Sequence, residues 1–194
     1  MKRLIAIVVL AGCAAAACAQ APRPARDIGQ SDPPTFVAEP SGGSRVPDVI
    51  YVPTPEPVVQ AMLELVRPGP RDLVFDLGCG DGRIVIAAAK RYGARGVCVD
   101  IDPDRIAEAR DNVRRAGVAD RIQIVQGDLF ELDLSRATVI TLYLLPDLNL
   151  MLRPKLEKLP RGTRIVSHAF DMGDWTPDRK LTVADKEIFF WVVK

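Results

Sequence analysis

Leu73-Val-Phe-Asp-Leu-Gly-Cys-Gly-Asp-Gly82 decides the fold of this chain. Leu73 to Phe75 read as a short buried strand that runs into Asp76 and then into glycines at 78, 80 and 82, a GxGxG spacing. Glycine accepts backbone conformations that a Cβ forbids, so such a turn lets main chain approach a ligand closely. Gly96-Val-Cys-Val-Asp100 is a second apolar strand, and it ends in an acid. A glycine-rich turn after one strand and a carboxylate after the next describe a βαβ unit that holds a nucleoside, the carboxylate accepting hydrogen bonds from a ribose diol.

The flanking sequence extends the same alternation. Thr54-Pro55 predicts a helix start, with Thr54 as N-cap and Pro55 in the first turn. Val58, Val59, Met62, Leu63 and Val66 form its apolar face, and Pro68-Gly69 stops it. A helix is expected from about Gly82 to Tyr92 and a strand over Val97 to Val99. Asp102-Pro103 caps a helix that carries Ile106, Ala109 and Val113 and ends before Gly117. Strands follow at Ile122 to Val125 and Ala137 to Leu142, then a helix from about Leu148 to Leu159 broken or kinked at Pro154. Arg164 to Ser167 is a further strand. Leu181 to Ala184 and Glu187 to Val193 close the chain as two strands joined at Asp185-Lys186. The expected fold class is α/β: a Rossmann-like doubly wound sheet of seven strands, mostly parallel, with an antiparallel C-terminal hairpin.

Composition narrows the function classes. A chain of 194 residues predicts one domain. Its net charge of +1 points to no nucleic-acid partner. A single histidine argues against a His-rich metal site, and four cysteines without a CxxC pair argue against zinc, so no metal is expected. Cys79 and Cys98 read as small buried hydrophobes.

The N-terminus reads as a leader. Met1-Lys2-Arg3 is basic, and Leu4 to Leu10 is an apolar run too short to span a bilayer as a helix. It fits the apolar region of a signal peptide. Leu10-Ala-Gly-Cys13 matches a lipobox, and Ala17-Cys-Ala19 offers an ordinary cleavage site. The expected division is a signal peptide over 1–18, a flexible Pro-, Gly-, Ser- and Ala-rich linker over 19–50, and one domain over 51–194. The predicted location is exported, either periplasmic or membrane-anchored through a lipidated Cys13. A start codon further downstream would leave the domain in the cytoplasm.

Asp76 before the glycines, Asp100 after the second strand and Asp128 in Gln126-Gly-Asp-Leu-Phe130 form a pattern similar to class I S-adenosylmethionine-dependent methyltransferases. The resemblance implies S-adenosyl-L-methionine as cofactor, with Gly78, Gly80 and Gly82 in the cofactor turn and Asp100 on both ribose hydroxyls. It implies Ile101 against the adenine and Asp128, followed by Leu129, at the adenine amino group. Asp76 would orient the glycine loop or meet the methionine ammonium. Six blocks narrow the resemblance: Tyr51-Val-Pro-Thr-Pro55, Asp76 to Ile84, Thr138 to Leu145, Leu152-Arg-Pro-Lys-Leu-Glu-Lys158, Val166-Ser-His168 and Trp175-Thr-Pro177. Together they resemble the small archaeal-type protein-lysine methyltransferases, relatives of the mitochondrial enzymes that act on ATP synthase and on the adenine nucleotide translocase.

In that resemblance Tyr51 and Thr54 fold over the methionine end of the cofactor. Tyr143 to Pro146 follows the fourth strand, where class I enzymes line the transfer site. Leu-Tyr-Leu-Leu-Pro there has no amide or acid to grip the exocyclic amine of a base. An apolar lip of Leu142, Leu144 and Leu145 with Tyr143, the candidate catalytic residue, suits a lysine side chain instead. His168 reads either as structural or as facing the pocket. The expected activity is methyl transfer to a protein lysine amine. Two alternatives remain: a small-molecule methyltransferase, or a non-catalytic membrane-anchored nucleoside-binding domain. One fold hosts many acceptors.

Overall fold

The computed structural model describes residues 34–38 and 51–194. In chain order the elements are α1 (Glu56–Val66), β1 (Leu73–Leu77), α2 (Arg83–Tyr92), β2 (Arg95–Asp100), α3 (Pro103–Ala116), β3 (Ile122–Gln126), β4 (Val139–Leu142), α4 (Pro146–Leu156), β5 (Arg164–His168), β6 (Arg179–Val183) and β7 (Lys186–Val192). The seven strands form one sheet in the order β3-β2-β1-β4-β5-β7-β6. The first five are parallel, and β7 runs antiparallel to both β5 and β6. The chain steps outward from β1 to β3 and then returns to place β4 on the other side of β1. That reversal opens a crevice beyond the carboxyl ends of β1 and β4.

Apolar spacing decides how each face is covered. On one face Val58, Val59, Met62 and Leu63 of α1 and Ile84 and Ala88 of α2 bury Val74, Val139 and Val166. Beside them α2 and α3 meet through Val85, Ala89, Ala109 and Val113. The opposite face has a single helix. There Leu152 and Leu156 of α4 pack with Leu132 and Leu134 from the β3–β4 connection and with Trp191 of β7. The Trp191 indole N–H donates to the Trp175 carbonyl at 2.8 Å, which satisfies the polar end of a fully buried ring. The Lys155 ammonium of α4 donates to the carbonyls of Phe130, at 2.8 Å, and Leu132, pinning the β3–β4 connection to the helix.

Three local expectations change. The N-cap of α1 is Pro55, whose carbonyl accepts from Val58 and Val59; the Thr54 side chain caps nothing. The residue before a proline is driven into extended backbone, and Thr54 precedes Pro55. The β6–β7 turn falls at Ala184-Asp185, both at positive φ (49° and 58°), as a two-residue hairpin of matching twist requires. Pro154 lies inside α4 without breaking it, and the helix continues to Leu156.

The predicted leader over 1–18, with Cys13, lies outside the described residues, as does most of the 19–50 segment. Within that segment residues 34–38 are not a free tether. Val37 is buried, its N–H donates to the Gln123 side-chain oxygen at 2.9 Å, and its carbonyl accepts from the Gln123 amide at 2.7 Å. The Arg95 guanidinium lies 5.5 Å from the centre of the Phe36 ring. The apolar pair Phe36-Val37 was the available signal inside a proline-rich stretch. Among the described residues no helix is long and apolar enough to cross a membrane.

Candidate functional site

The crevice between β1 and β4 holds about 970 Å³ of space, open solvent at its mouth included. Its floor is the glycine turn. The N–H groups of Gly78 and Cys79 both donate to the Val99 carbonyl at 2.9 Å, folding the turn back onto β2. The Gly80 N–H donates to Asp100 Oδ2 at 2.9 Å, and Asp100 Oδ1 accepts from the Asp102 N–H at 3.0 Å. Asp102 in turn caps α3 by accepting from the Asp104 N–H at 2.8 Å. Asp100 is thereby fixed in orientation by its own neighbours, with lone pairs left for a diol.

Asp76 is buried under the crevice and lines it. Its Oδ1 accepts from the Thr141 hydroxyl at 2.6 Å, whereas Oδ2 has no partner. Burial pushes the carboxyl up to about 7; the Thr141 bond works the other way, and the nearby Asp100 and Asp81 charges add to the rise. A buried carboxyl oxygen without a partner calls for a donor. The ammonium group of an amino-acid ligand fits that requirement.

Residues 51–54 form a strap over the turn. The Tyr51 ring lies so close to Gly80 that a Cβ there would stand 2.1 Å from a ring carbon. Gly80, at φ 55°, is therefore covered by protein and is not part of the crevice wall; its contribution is its N–H. The Arg105 guanidinium lies 4.9 Å from the centre of the Tyr51 ring. Arg83 donates to the Thr54 carbonyl at 2.9 Å and pairs with Asp81 at 2.6 Å. Burial alone would raise the Asp81 carboxyl, but the hydrogen bonds and charge of Arg83 outweigh it and hold the group low. Burial, and after it the Asp81 charge, raises the Tyr51 phenol.

Tyr143, Leu144 and Leu148, with Val52 of the strap, add apolar lining, and Leu144 packs so close to the glycine turn that a Cβ on Gly78 would stand 2.8 Å from it. The Tyr143 ring packs on His168 with centroids 3.8 Å apart. His168 itself is fully buried behind Tyr143 and Thr54 and does not line the crevice. Its Nδ1 is 3.3 Å from the Thr54 hydroxyl and its Nε2 has no partner. Burial, with a smaller push from Lys186, lowers its pKa to about 4, so the ring is neutral at ordinary pH.

The crevice brings together Tyr51, Thr54, Asp76, Gly78, Asp100, Ile101, Asp128, Leu129 and Tyr143, the expected set apart from Gly80 and Gly82. The lip is corrected. Leu142 is buried in the core and Leu145 is exposed outside the crevice, so Leu144 with Leu148 and Val52 makes the apolar lining. Asp81, Arg83, Arg105 and Phe130 also line it and were not foreseen. Asp81-Gly-Arg83 directly after the glycines was the available signal for the first two. The reading of Cys79 and Cys98 as separate buried thiols is also corrected: they form a disulfide, with Cα atoms 5.3 Å apart.

Comparison with known proteins matches this geometry. The ANTKMT methyltransferase domain family matches residues 76–179. A protein-lysine N-methyltransferase from Saccharolobus islandicus (strain REY15A) is 51% identical over 144 residues, covering 73% of this chain and 89% of that protein. The adenine nucleotide translocase lysine N-methyltransferase of Mus musculus is 34% identical over 140 residues, 70% of this chain and 61% of that one. A crystal structure described as an RNA methyltransferase from Salinibacter ruber, in complex with S-adenosyl-L-homocysteine, is similar with a TM-score of 0.72 at 55% identity. It covers 73% of this chain and 94% of that one. With an acid-lined turn that fits S-adenosyl-L-methionine and a matching domain over more than half its length, the chain belongs to the S-adenosylmethionine-dependent protein-lysine methyltransferases of the ANTKMT domain family.

Proposed function

We propose that this methyltransferase modifies the ε-amine of a lysine in a protein substrate. The observation that carries the reading is one crevice that joins the carboxyls of Asp76 and Asp100 to an apolar lining of Leu144, Leu148, Val52 and Tyr143. Bound S-adenosylmethionine supplies an electrophilic methyl group on sulfur. Asp100 would accept from the ribose hydroxyls and Asp76 Oδ2 from the ammonium, with the strap lying over the turn. A lysine amine attacks only when neutral, and its ordinary pKa is about 10.4. The apolar lining strips water from the ammonium and lowers that value, so its proton leaves to solvent before attack. Leucine side chains receive the lysine stem, and Tyr143, backed by His168, forms a fixed wall that aligns it.

The RNA description of the Salinibacter ruber relative favours a second reading, an RNA acceptor. Against it, the Tyr143 to Pro146 segment offers no side-chain amide or acid to hold a base amine. Labelled cofactor incubated with protein, RNA and metabolite fractions of the host decides between them. Label that survives ribonuclease and is released by protease supports lysine transfer. Label released by ribonuclease, or recovered in the small-molecule fraction, overturns it. The rate on a lysine substrate should rise with pH toward about 9–10.

We also propose that the chain is exported and anchored through Cys13. The leader-like order of Met1 to Cys13 and the Cys79–Cys98 disulfide support this reading, since disulfides persist in oxidising compartments. Fractionation of the host, with the chain in the cytosolic fraction as the contrary result, tests it.

A further inference from the structure

We propose that the Cys79–Cys98 disulfide is a redox-modifiable site that sets cofactor affinity, and that a small dithiol opens it by entering through the cofactor crevice. The inference rests on S-adenosylmethionine being the ligand of that crevice. Its basis is where the bond lies. Cys79 sits inside the glycine turn and lines the crevice; Cys98 lies opposite Asp76 in the β1–β2 register and is fully buried. One step along the chain from Cys79 is Gly80, and two steps from Cys98 is Asp100. Those two residues are joined by the 2.9 Å hydrogen bond that orients the ribose-binding carboxyl. The disulfide therefore ties the glycine turn to β2 beside the contact on which the cofactor depends.

Without the cross-link the turn keeps only hydrogen bonds: from the N–H groups of Gly78 and Cys79 to the Val99 carbonyl, from Gly80 to Asp100, from Gly82 to the Cys79 carbonyl and from the Asn112 amide to the Asp81 carbonyl. Cys79 is flanked by Gly78 and Gly80, both at positive φ (76° and 55°), so the segment regains much conformational freedom once cut. A cofactor that binds the cut form must order that segment again, and the ordering is subtracted from affinity. Thermodynamic reciprocity then requires that bound cofactor make the disulfide harder to reduce. The route of attack gives the same result, because Cys79 lines the wall the cofactor covers whereas Cys98 is fully buried, so the approach to the bond is from the Cys79 side.

The exchange balances without any other reactant. A thiolate of the dithiol attacks the Cys79 sulfur and forms a mixed disulfide. The Cys79–Cys98 bond breaks, and its electron pair leaves on the Cys98 sulfur, which takes a proton from water. The second thiol of the reagent attacks the mixed disulfide, closes the reagent into a ring and releases Cys79 as a protonated thiol. The protein gains two electrons and two protons, and the dithiol loses both.

The test uses the full chain with dithiothreitol. Calorimetry gives the S-adenosylmethionine Kd of the oxidised and the reduced protein. Alkylation with peptide mapping follows thiols at 79 and 98 separately from Cys13 and Cys18. Reduction should raise Kd by at least about fivefold, the low end of ordinary coupling between sites. Saturating cofactor should slow the appearance of thiols at 79 and 98. A Cys79→Ser, Cys98→Ser double variant should match the reduced protein and ignore dithiothreitol. If that variant fails to fold, the cofactor-protection measurement on the natural chain still decides. Equal Kd in the two forms, or a reduction rate that cofactor leaves unchanged, overturns the inference. An oxidised protein that binds no S-adenosylmethionine would instead overturn the cofactor assignment.

Discussion

The two ends of the crevice are built by different means. At the cofactor end the decisive contacts join residues close in sequence: Gly80 to Asp100 is a separation of 20, and Asp100 to Asp102 is a separation of two. At the acceptor end Thr54 meets His168 across a separation of 114, and the wall is assembled from the strap, the segment after β4 and the start of α4. The first end is mostly a local motif, to which Thr141 adds one distant donor, on Asp76. The second exists only once the sheet has closed. A substitution at the first should therefore act on cofactor binding, and one at the second on the acceptor.

Asp100→Ala should have the largest effect. It removes two charge-assisted hydrogen bonds to the ribose, each about 1.5–3 kcal/mol, and leaves the Gly80 and Asp102 N–H groups without their acceptor. Calorimetry should show cofactor Kd rising at least about 100-fold, at 1.4 kcal/mol per tenfold. A loss below tenfold would break the assignment.

Gly80→Ala comes next, because its Cβ would collide with the Tyr51 ring and φ is 55°. We expect a loss of about 1–3 kcal/mol in urea denaturation. Combining it with Tyr51→Ala should recover part of that loss, a coupling that a double-mutant cycle measures directly. Additive losses would remove Tyr51 from the turn.

Leu148→Ala sharpens the contrast from the other end. It should leave cofactor Kd within about twofold and move the midpoint of the pH–rate profile upward, since a wetter lip lowers the lysine pKa less. A fall in cofactor affinity with an unmoved profile would contradict the division of labour.

The smallest effect is in stability against pH, where the two ends have opposite signs. The folded pKa of Asp76 is raised from 3.8 to about 7, so between those values the native state holds more protons than the unfolded chain. Its contribution is full below about pH 4 and is lost as pH rises through 7. The His168 value is lowered from 6.5 to about 4, so its contribution is full above pH 6.5 and is lost as pH falls toward 4. The natural chain should show a shallow net slope between pH 4 and 6.5. Asp76→Asn should unmask a rise in stability with pH there, and His168→Asn a fall. Denaturation midpoints across a pH series check both, and parallel slopes in the two variants would refute the signs.

This contrast also explains what the sequence made legible. β1, the glycine turn, β2 and the Asp102 cap carry their signals within a few residues, so the cofactor wall could be read almost whole. The strap was legible as a motif, but its geometry was not. Thr54 has the chemistry of a cap, and only the folded chain shows its hydroxyl beside His168. Leu142, Leu144 and Leu145 look alike in sequence, but Leu142 ends a central strand buried on both faces, where alternation gives no clue to direction, and the other two lie beyond it. The Cys79–Cys98 bond depends on the register that sets Cys98 opposite Asp76, and cysteine spacing cannot supply a register.

Helix α4 ties the two walls together mechanically. Leu148, near its start, stands in the acceptor wall, and two turns later the Lys155 ammonium grips the carbonyl of Phe130, in the wall beside Asp128. A rigid rod fastened at both points transmits displacement. Loss of the Lys155 contact would therefore disturb both walls at once, the one that holds Leu148 and the one that holds Asp128.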